Sequence, residues 1–350
     1  MRLLIVGNEV RNYHLLDFSN ELRKKDIETR VIIDTKFLEK TMSFSLKNRS
    51  NKKKELIKII HEFKPEFILL DRITNIARIF LDENIPILVL LRGNYWEEVL
   101  WAKKTNGSLI HRTSIYKNQN LVDQIFSNAK LVFPISQYLK NEFLKKYPEK
   151  NVEVLYADGR NLPKWKNNSK NILNHPCVGL VQGLNIWGKT NELNTLDNVM
   201  EKLPNVTFYL AGDGEYRDKI IPKLSKHKNF IWLGNLDYPN KIVEFLSEID
   251  IFLLLSGLEG LGQSVIEAMI MKKPVIASNS GGLPEIIQDG INGYLVEVGD
   301  HEKIIFLINE ILTKPKITKK IIENVENDIE KFSWENICSE FLNIMKKYNY

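Results

Sequence analysis

Two cysteines, Cys177 and Cys338, are all that the 350 residues carry, and they stand far apart. That is too few and too scattered for a metal cluster or a disulfide framework. No window approaches 18 consecutive apolar residues, so no segment reads as a membrane span. The apolar run at residues 3–6 is far shorter than the core of a signal peptide and leads straight into fold sequence. No nucleic-acid-binding motif or internal repeat is evident, and the one low-complexity tract is the Asn/Lys-rich run between Pro163 and Pro176. Glycine is scarce after the first strand, where Gly7-Asn8-Glu9 is too thin for a dinucleotide fingerprint. These absences leave a cytoplasmic globular protein as the expectation.

The composition is that of such a protein, with 43% apolar and 27% charged residues, and the length suits two domains. Charge is split unevenly. Residues 1–170 hold 31 Lys+Arg against 20 Asp+Glu, whereas residues 171–350 hold 18 against 24. A basic first half suits docking on an anionic lipid surface or attracting an anionic acceptor, or is simply a solubilising surface.

Strand, helix and strand follow one another at residues 3–6, 14–25 and 29–33, the opening of a doubly wound sheet. A basic stretch without clear period, 36–54, precedes a helix at 55–63, and further strands are expected at 67–70 and 85–91. Residues 128–144 read as a strand, then Ser136 capping a helix; 152–156 reads as a short strand. The proline-bounded run 163–176 is the best linker. A second sheet opens at 178–183 and continues at 207–211 and 231–233, with a helix at 243–249. Helices at 303–312 and 316–332, then Ser333 capping 334–347, close the chain.

The densest signal lies at 251–296. Five apolar residues, 251–255, read as a buried parallel strand, followed by Ser256-Gly257-Leu258-Glu259-Gly260-Leu261-Gly262, a helix at 264–271 and a strand at 274–277. Such units carry ligands at the carboxyl ends of their strands. Small residues let backbone amides approach a ligand, and the helix start behind them favours anions. Glu259 and Glu267 would be repelled by a phosphate, but as acceptors they suit the vicinal diols of sugar and ribose. A phosphate-holding loop flanked by two diol-binding acids describes a nucleotide-sugar site. On spacing alone, Glu259 is a solvated loop residue and Glu267 a helix-surface residue.

That spacing is embedded in E-G-L-G-Q-S-V-I-E-A-M, P-V-I-A, G-G-L-P-E-I-I and N-G-Y-L-V, in this order. Together these blocks resemble the retaining glycosyltransferases of family 4. The resemblance implies an α/β protein of the GT-B fold: two Rossmann-like, doubly wound parallel-sheet domains facing across a cleft. The first, 1–168, would bind the acceptor, with the terminal helix 334–350 packing back on it; the second, 169–333, would bind the donor. The implied activity is hexosyl transfer, with retention, from a UDP- or GDP-sugar to a hydroxyl of a glycan or lipid-linked acceptor, in cell-surface polysaccharide or glycoconjugate synthesis. With the absences and the basic first half noted above, the expected setting is the cytoplasm, with peripheral association at the inner membrane face and no nucleic-acid partner.

By the same resemblance, Glu259 holds sugar hydroxyls and Glu267 the ribose diol, while Gly260, Leu261, Gly262, Gln263 and Ser264 offer the donor their backbone. Gly183 and Gly234 stand at donor loops, and Lys189 matches the lysine that neutralises the diphosphate. The sequence departs from the family twice: Arg92 stands where a histidine is usual, and Leu184 where an arginine is. Arg92 suits a phosphate or sugar hydroxyl, or else pairs with Glu97 or Glu98. No Asp-x-Asp triplet occurs, so neither a metal nor another cofactor is expected. Two other readings are a sugar-nucleotide epimerase, which the Glu259–Glu267 block disfavours, and a catalytically degenerate nucleotide-sugar-binding subunit or scaffold.

Overall fold

A computed structural model describes residues 1–37, 46–105, 109–326 and 329–350, with the backbone alone at 46–50, 109–116 and 326. The chain divides into two compact units: Met1–Arg92 with Asn106–Arg160 and Phe332–Tyr350, and Gly93–Thr105 with Asn161–Lys331.

The first unit holds β1 (Arg2–Gly7), α1 (Asn12–Arg23), β2 (Glu28–Ile33), α2 (Leu46–Phe63), β3 (Phe67–Leu70), α3 (Ala77–Asp82) and β4 (Ile87–Leu91). After α4 (Tyr95–Thr105), which clusters with the second unit, come α5 (Leu109–Asn128), β5 (Leu131–Pro134) and α6 (Gln137–Leu144). The strands pair in parallel in the order β2-β1-β3-β4-β5. β1, β3, β4 and β5 are almost unbroken apolar runs because helices cover both faces of such a sheet, whereas the edge strand β2 opens with Glu28, Thr29 and Arg30. The order reverses direction between β1 and β3, where β1 ends at Gly7. A Cβ there would lie 2.4 Å from Leu15 and 3.2 Å from Asp71, which accounts for the glycine. As expected, the Ser136 hydroxyl accepts from the Leu139 amide at the start of α6. Residues 38–45 of the basic stretch lie outside the described residues, and the helix that follows begins at Leu46 rather than 55. The expected strand at 152–156 is reduced to a bridge between Val152 and Val132. The Ala157 and Asp158 amides turn back to the Leu155 and Tyr156 carbonyls at 2.6 Å each, and these tight turns end the ladder.

In the second unit follow β6 (Cys177–Val181), α7 (Trp187–Thr190), α8 (Leu196–Lys202), β7 (Thr207–Ala211), α9 (Arg217–Leu224), β8 (Phe230–Gly234) and α10 (Asn240–Glu248). Then come β9 (Ile251–Leu254), α11 (Gln263–Ile270), β10 (Val275–Ser278), β11 (Tyr294–Val296), α12 (His301–Thr313) and α13 (Pro315–Glu326). The parallel order is β11-β10-β9-β6-β7-β8, so the sheet changes direction between β6 and β9. Buried side chains from β6, β7, β9, α8 and α12 form one apolar core, which includes Leu184, Leu210, Leu253 and Ile308. The proline-bounded run is a strap laid on this unit: Glu248 accepts from the Lys170, Ile172 and Leu173 amides at 2.6, 2.9 and 3.0 Å. The last helix, α14 (Trp334–Lys347), belongs to the first unit and packs on α1, with Phe18 against Trp334 and Phe341. No helix among the described residues is long and apolar enough to cross a membrane.

Candidate active site

In an open parallel sheet, ligands bind beyond the carboxyl ends of the strands at the point where strand order reverses. In the second unit that point is between β6 and β9, and the segments that follow these two strands carry Gly183, Lys189 and residues 259–267. β9 runs into Leu255 and Ser256, whose amide donates to Ser278 Oγ at 3.1 Å, while the Ser280 hydroxyl donates to the Ser256 carbonyl at 2.6 Å. The turn at 280–282 therefore anchors the loop. Gly281 has φ +56°, and a Cβ there would stand 1.8 Å from the Glu259 carbonyl oxygen. The Gly282 amide donates to that oxygen at 3.2 Å. A glycine in the left-handed region thus fixes the backbone of Glu259.

The Glu259 carboxylate meets Lys189 Nζ at 3.2 Å, both side chains being largely buried. Lys189 rides on the short α7, which is seated by packing: a Cβ on Gly188 would lie 2.7 Å from the Trp101 ring of α4. Gly260 and Leu261 are buried in the loop, and Gly262 takes φ +99° to start α11 with no side-chain cap. Gln263 and Ser264 form the first turn of that helix, whose amides give its start a partial positive charge.

Glu267, four residues along α11, is only 5% exposed. The Tyr238 hydroxyl donates to its Oε1 at 3.0 Å, so it is not a solvated surface residue. Gly183 and Gly234 stand beyond β6 and at the end of β8. A Cβ on either would meet nothing within 4 Å, although Gly234 needs its φ of +67°. Packing gives no reason for glycine at Gly183. Leu184, where the resemblance led to an arginine, is fully buried in the core, which explains that departure.

Arg92 lies in the first unit, just beyond β4. Its Nε donates to Asp71 Oδ1, and its Nη1 donates to Asp158 Oδ1 at 2.7 Å and the Ala157 carbonyl at 3.0 Å. Arg11 joins them, with Nη2 donating to Asp158 Oδ1 at 3.1 Å and Nε 3.7 Å from Asp71 Oδ2. Arg160, fully buried beside them, donates to the Asp158 and Gly159 carbonyls. Burial works to raise the Asp158 carboxyl, but Arg92 and Arg11 outweigh it and hold the group below the usual carboxylate range. Burial, with Arg160, Arg11 and Arg92 near by, holds the His14 imidazole far below its ordinary value, so it is neutral.

Sequence reasoning missed several of these residues. Asp71, Arg11 and Asp158 come from three separate segments, and only the position of Asp71 at a strand end hinted at a site. Tyr238 acts through a contact that no local pattern reveals, and Gly281 opens the G-G-L-P-E-I-I block without its contact to Glu259 being readable there. Glu192 is another: its side chain approaches Gly257, and burial pushes its carboxyl above the ordinary value.

Residues 191–328 match the family described as Glycosyl transferases group 1. An uncharacterized glycosyltransferase of Methanocaldococcus jannaschii is 28% identical over 246 residues, 65% of this chain and 62% of that protein. The poly(ribitol-phosphate) alpha-N-acetylglucosaminyltransferase of Staphylococcus aureus is 28% identical over 237 residues, 65% of this chain and 46% of that one. The chain thus matches less than two thirds of the length of these curated relatives. Among solved structures, Anabaena HepE in complex with UDP-glucose aligns with a TM-score of 0.74 at 17% identity, covering 99% of this chain and 100% of that one. Sucrose-phosphate synthase of Thermosynechococcus elongatus aligns with a TM-score of 0.79 at 16% identity, covering 99% of each chain. The fold is accordingly GT-B.

Proposed function

We propose, from the match of residues 191–328 to the family described as Glycosyl transferases group 1, that the chain transfers a hexosyl group, with retention, from a UDP- or GDP-sugar to a hydroxyl of a glycan or lipid-linked acceptor. The observation that carries this reading is the arrangement at the β6/β9 reversal. Lys189, Glu259, the start of α11 and the buried Glu267 all sit on loops or a helix leaving adjacent strands of one sheet.

In this reading the α11 amides and Lys189 stabilise the negative charge that develops on the departing diphosphate. Glu259 then exchanges part of its bond to Lys189 for sugar hydroxyls, and Glu267, braced by Tyr238, accepts from the ribose diol. The leaving phosphate takes the proton of the acceptor hydroxyl as the new bond forms on the same face, so no protein base is required. Lys189 does the work that a divalent ion does where an Asp-x-Asp triplet is present, and turnover is therefore expected to survive chelators. The matched relatives include the poly(ribitol-phosphate) alpha-N-acetylglucosaminyltransferase and a lipopolysaccharide core biosynthesis glycosyltransferase of Rhizobium meliloti. These names support cell-surface polysaccharide or glycoconjugate synthesis as the setting. The excess of Lys and Arg in residues 1–170 supports docking at the inner membrane face.

One observation favours a second reading, a nucleotide-sugar-binding subunit without turnover. Arg92 is already neutralised by Asp71 and Asp158, and Leu184 offers no cation. The experiment that separates the two is product analysis with a panel of UDP- and GDP-sugars. Slow donor hydrolysis, or transfer with retained anomeric configuration, supports the transferase; donor binding without either supports the subunit.

A further inference from the structure

The amino ends of β6 and β9, remote along these strands from the loops just described, hold a second cluster. Val178 pairs with Ile251 in the parallel ladder, so Cys177 and Asp250 stand side by side where the two strands begin. The Cys177 amide donates to Asp250 Oδ2 at 2.7 Å, and the Asp250 amide donates to the Cys177 carbonyl at 3.3 Å. His175, at the end of the strap, brings Nδ1 to 2.8 Å from Asp250 Oδ2 and 3.7 Å from Cys177 Sγ. One sulfur, one imidazole nitrogen and one carboxylate oxygen therefore lie within 4.8 Å of one another. A cavity of about 810 Å³, lined by His175 and Asp250, adjoins them.

We propose that His175 Nδ1, Cys177 Sγ and an Asp250 carboxylate oxygen form a site for a single zinc-type divalent cation, with water from the adjoining cavity completing the coordination. The donor set is what selects the class of ion. Thiolate and imidazole favour zinc over magnesium or calcium, which take oxygen ligands. Tetrahedral bonds of about 2.0–2.3 Å put neighbouring ligand atoms roughly 3.3–3.8 Å apart, so the Cys177–His175 separation already fits and the His175–Asp250 contact must open. The thiol, which burial keeps protonated, releases its proton to solvent as the sulfur–metal bond forms, and the imidazole binds through the lone pair of Nδ1. No oxidation state changes. Lys273 opposes the ion electrostatically from beside Asp250 and Cys177, but its ammonium is held by the Ser247 carbonyl at 2.8 Å. The ion would fasten the strap to both central strands and take no part in sugar transfer. Two distant cysteines argue against a thiolate cluster, not against a site with one sulfur.

The full-length chain, stripped with a chelator, is titrated with Co²⁺ and then challenged with Zn²⁺. The expected result is a tetrahedral d–d spectrum with a sulfur-to-cobalt charge-transfer band, saturating at one ion per chain and bleached by Zn²⁺. The band persists in Cys338→Ser and is lost in Cys177→Ser. His175→Ala, a change at a half-exposed side chain that is not expected to impair folding, weakens Co²⁺ binding about tenfold or more and abolishes the rise in melting temperature that Zn²⁺ gives the wild type. A wild-type chain without the charge-transfer band, or a band unaffected by both Cys177→Ser and His175→Ala, overturns the proposal.

Discussion

Replacing Gly281 by alanine tests how the loop between β9 and α11 is held. Two effects are expected, and they can be separated. Alanine at φ +56° pays about 1–2 kcal/mol for the left-handed conformation. Its Cβ would also begin 1.8 Å from the Glu259 carbonyl, whereas real Cβ contacts stay above 3.0 Å, so the Glu259 backbone must retreat by about 1.2 Å. A displacement near 1 Å in a positioned site costs about 100-fold in rate. Gly290 supplies the control: its φ is +73°, but a Cβ there meets nothing within 4 Å. Gly290→Ala should therefore pay the conformational cost alone. The assay compares both variants for melting temperature and for hydrolysis of the preferred donor. Comparable losses of stability, with donor hydrolysis about 100-fold slower only in Gly281→Ala, are the expected outcome. Equal turnover in the two variants refutes the argument that Gly281 places Glu259.

Arg92→Met leaves the buried Asp71 and Asp158 with Arg11 still bridging them, and should cost about 3 kcal/mol, the low end for breaking a buried ion pair, in denaturant unfolding; an unchanged midpoint sinks this account of the cluster. Asp158 and Glu248 both titrate below their ordinary values in the fold. They therefore add stability above the unfolded carboxylate range, near pH 4, and lose it as pH falls through their native values. The wild type should lose stability on acidification below about pH 4, with a shallower loss in Arg92→Met. Glu248→Gln weakens three bonds from strap amides, and is expected to cost about 1–2 kcal/mol and to speed amide exchange at Lys170, Ile172 and Leu173; unchanged exchange contradicts it. Tyr238→Phe removes the brace on Glu267 and should weaken donor binding several-fold without altering the donor base preferred; unaltered affinity shows the bond to be incidental.

The sheets were legible because parallel strands buried on both faces are written as short apolar runs: 3–6, 67–70, 207–211 and 251–255 all became strands. Caps at Ser136 and Ser333 were legible because a single hydroxyl oxygen identifies them. Helices α4 and α5 were not, since Tyr95–Thr105 mixes aromatic and charged residues with only Val99 fully buried, so its apolar positions mark no face. The β9–α11 loop could be read because strand, glycines and helix are consecutive. The pairing of Lys189 with Glu259 spans 70 residues and that of Arg11 with Asp158 spans 147, distances over which no local pattern carries information. Leu184 illustrates the reverse case: the sequence showed that an expected cation was missing, and the reason lay in a core that needed an apolar side chain.

The central claim is that the loop between β9 and α11, with Glu267 behind it, binds a nucleotide-sugar donor. Thermal shift of the wild type and Glu267→Ala against UDP-, GDP- and ADP-sugars tests it most directly, since a ligand that binds only the native state raises the melting temperature. The account predicts a rise with one nucleotide class that disappears in Glu267→Ala. No rise with any donor, or a rise that Glu267→Ala leaves intact, contradicts it.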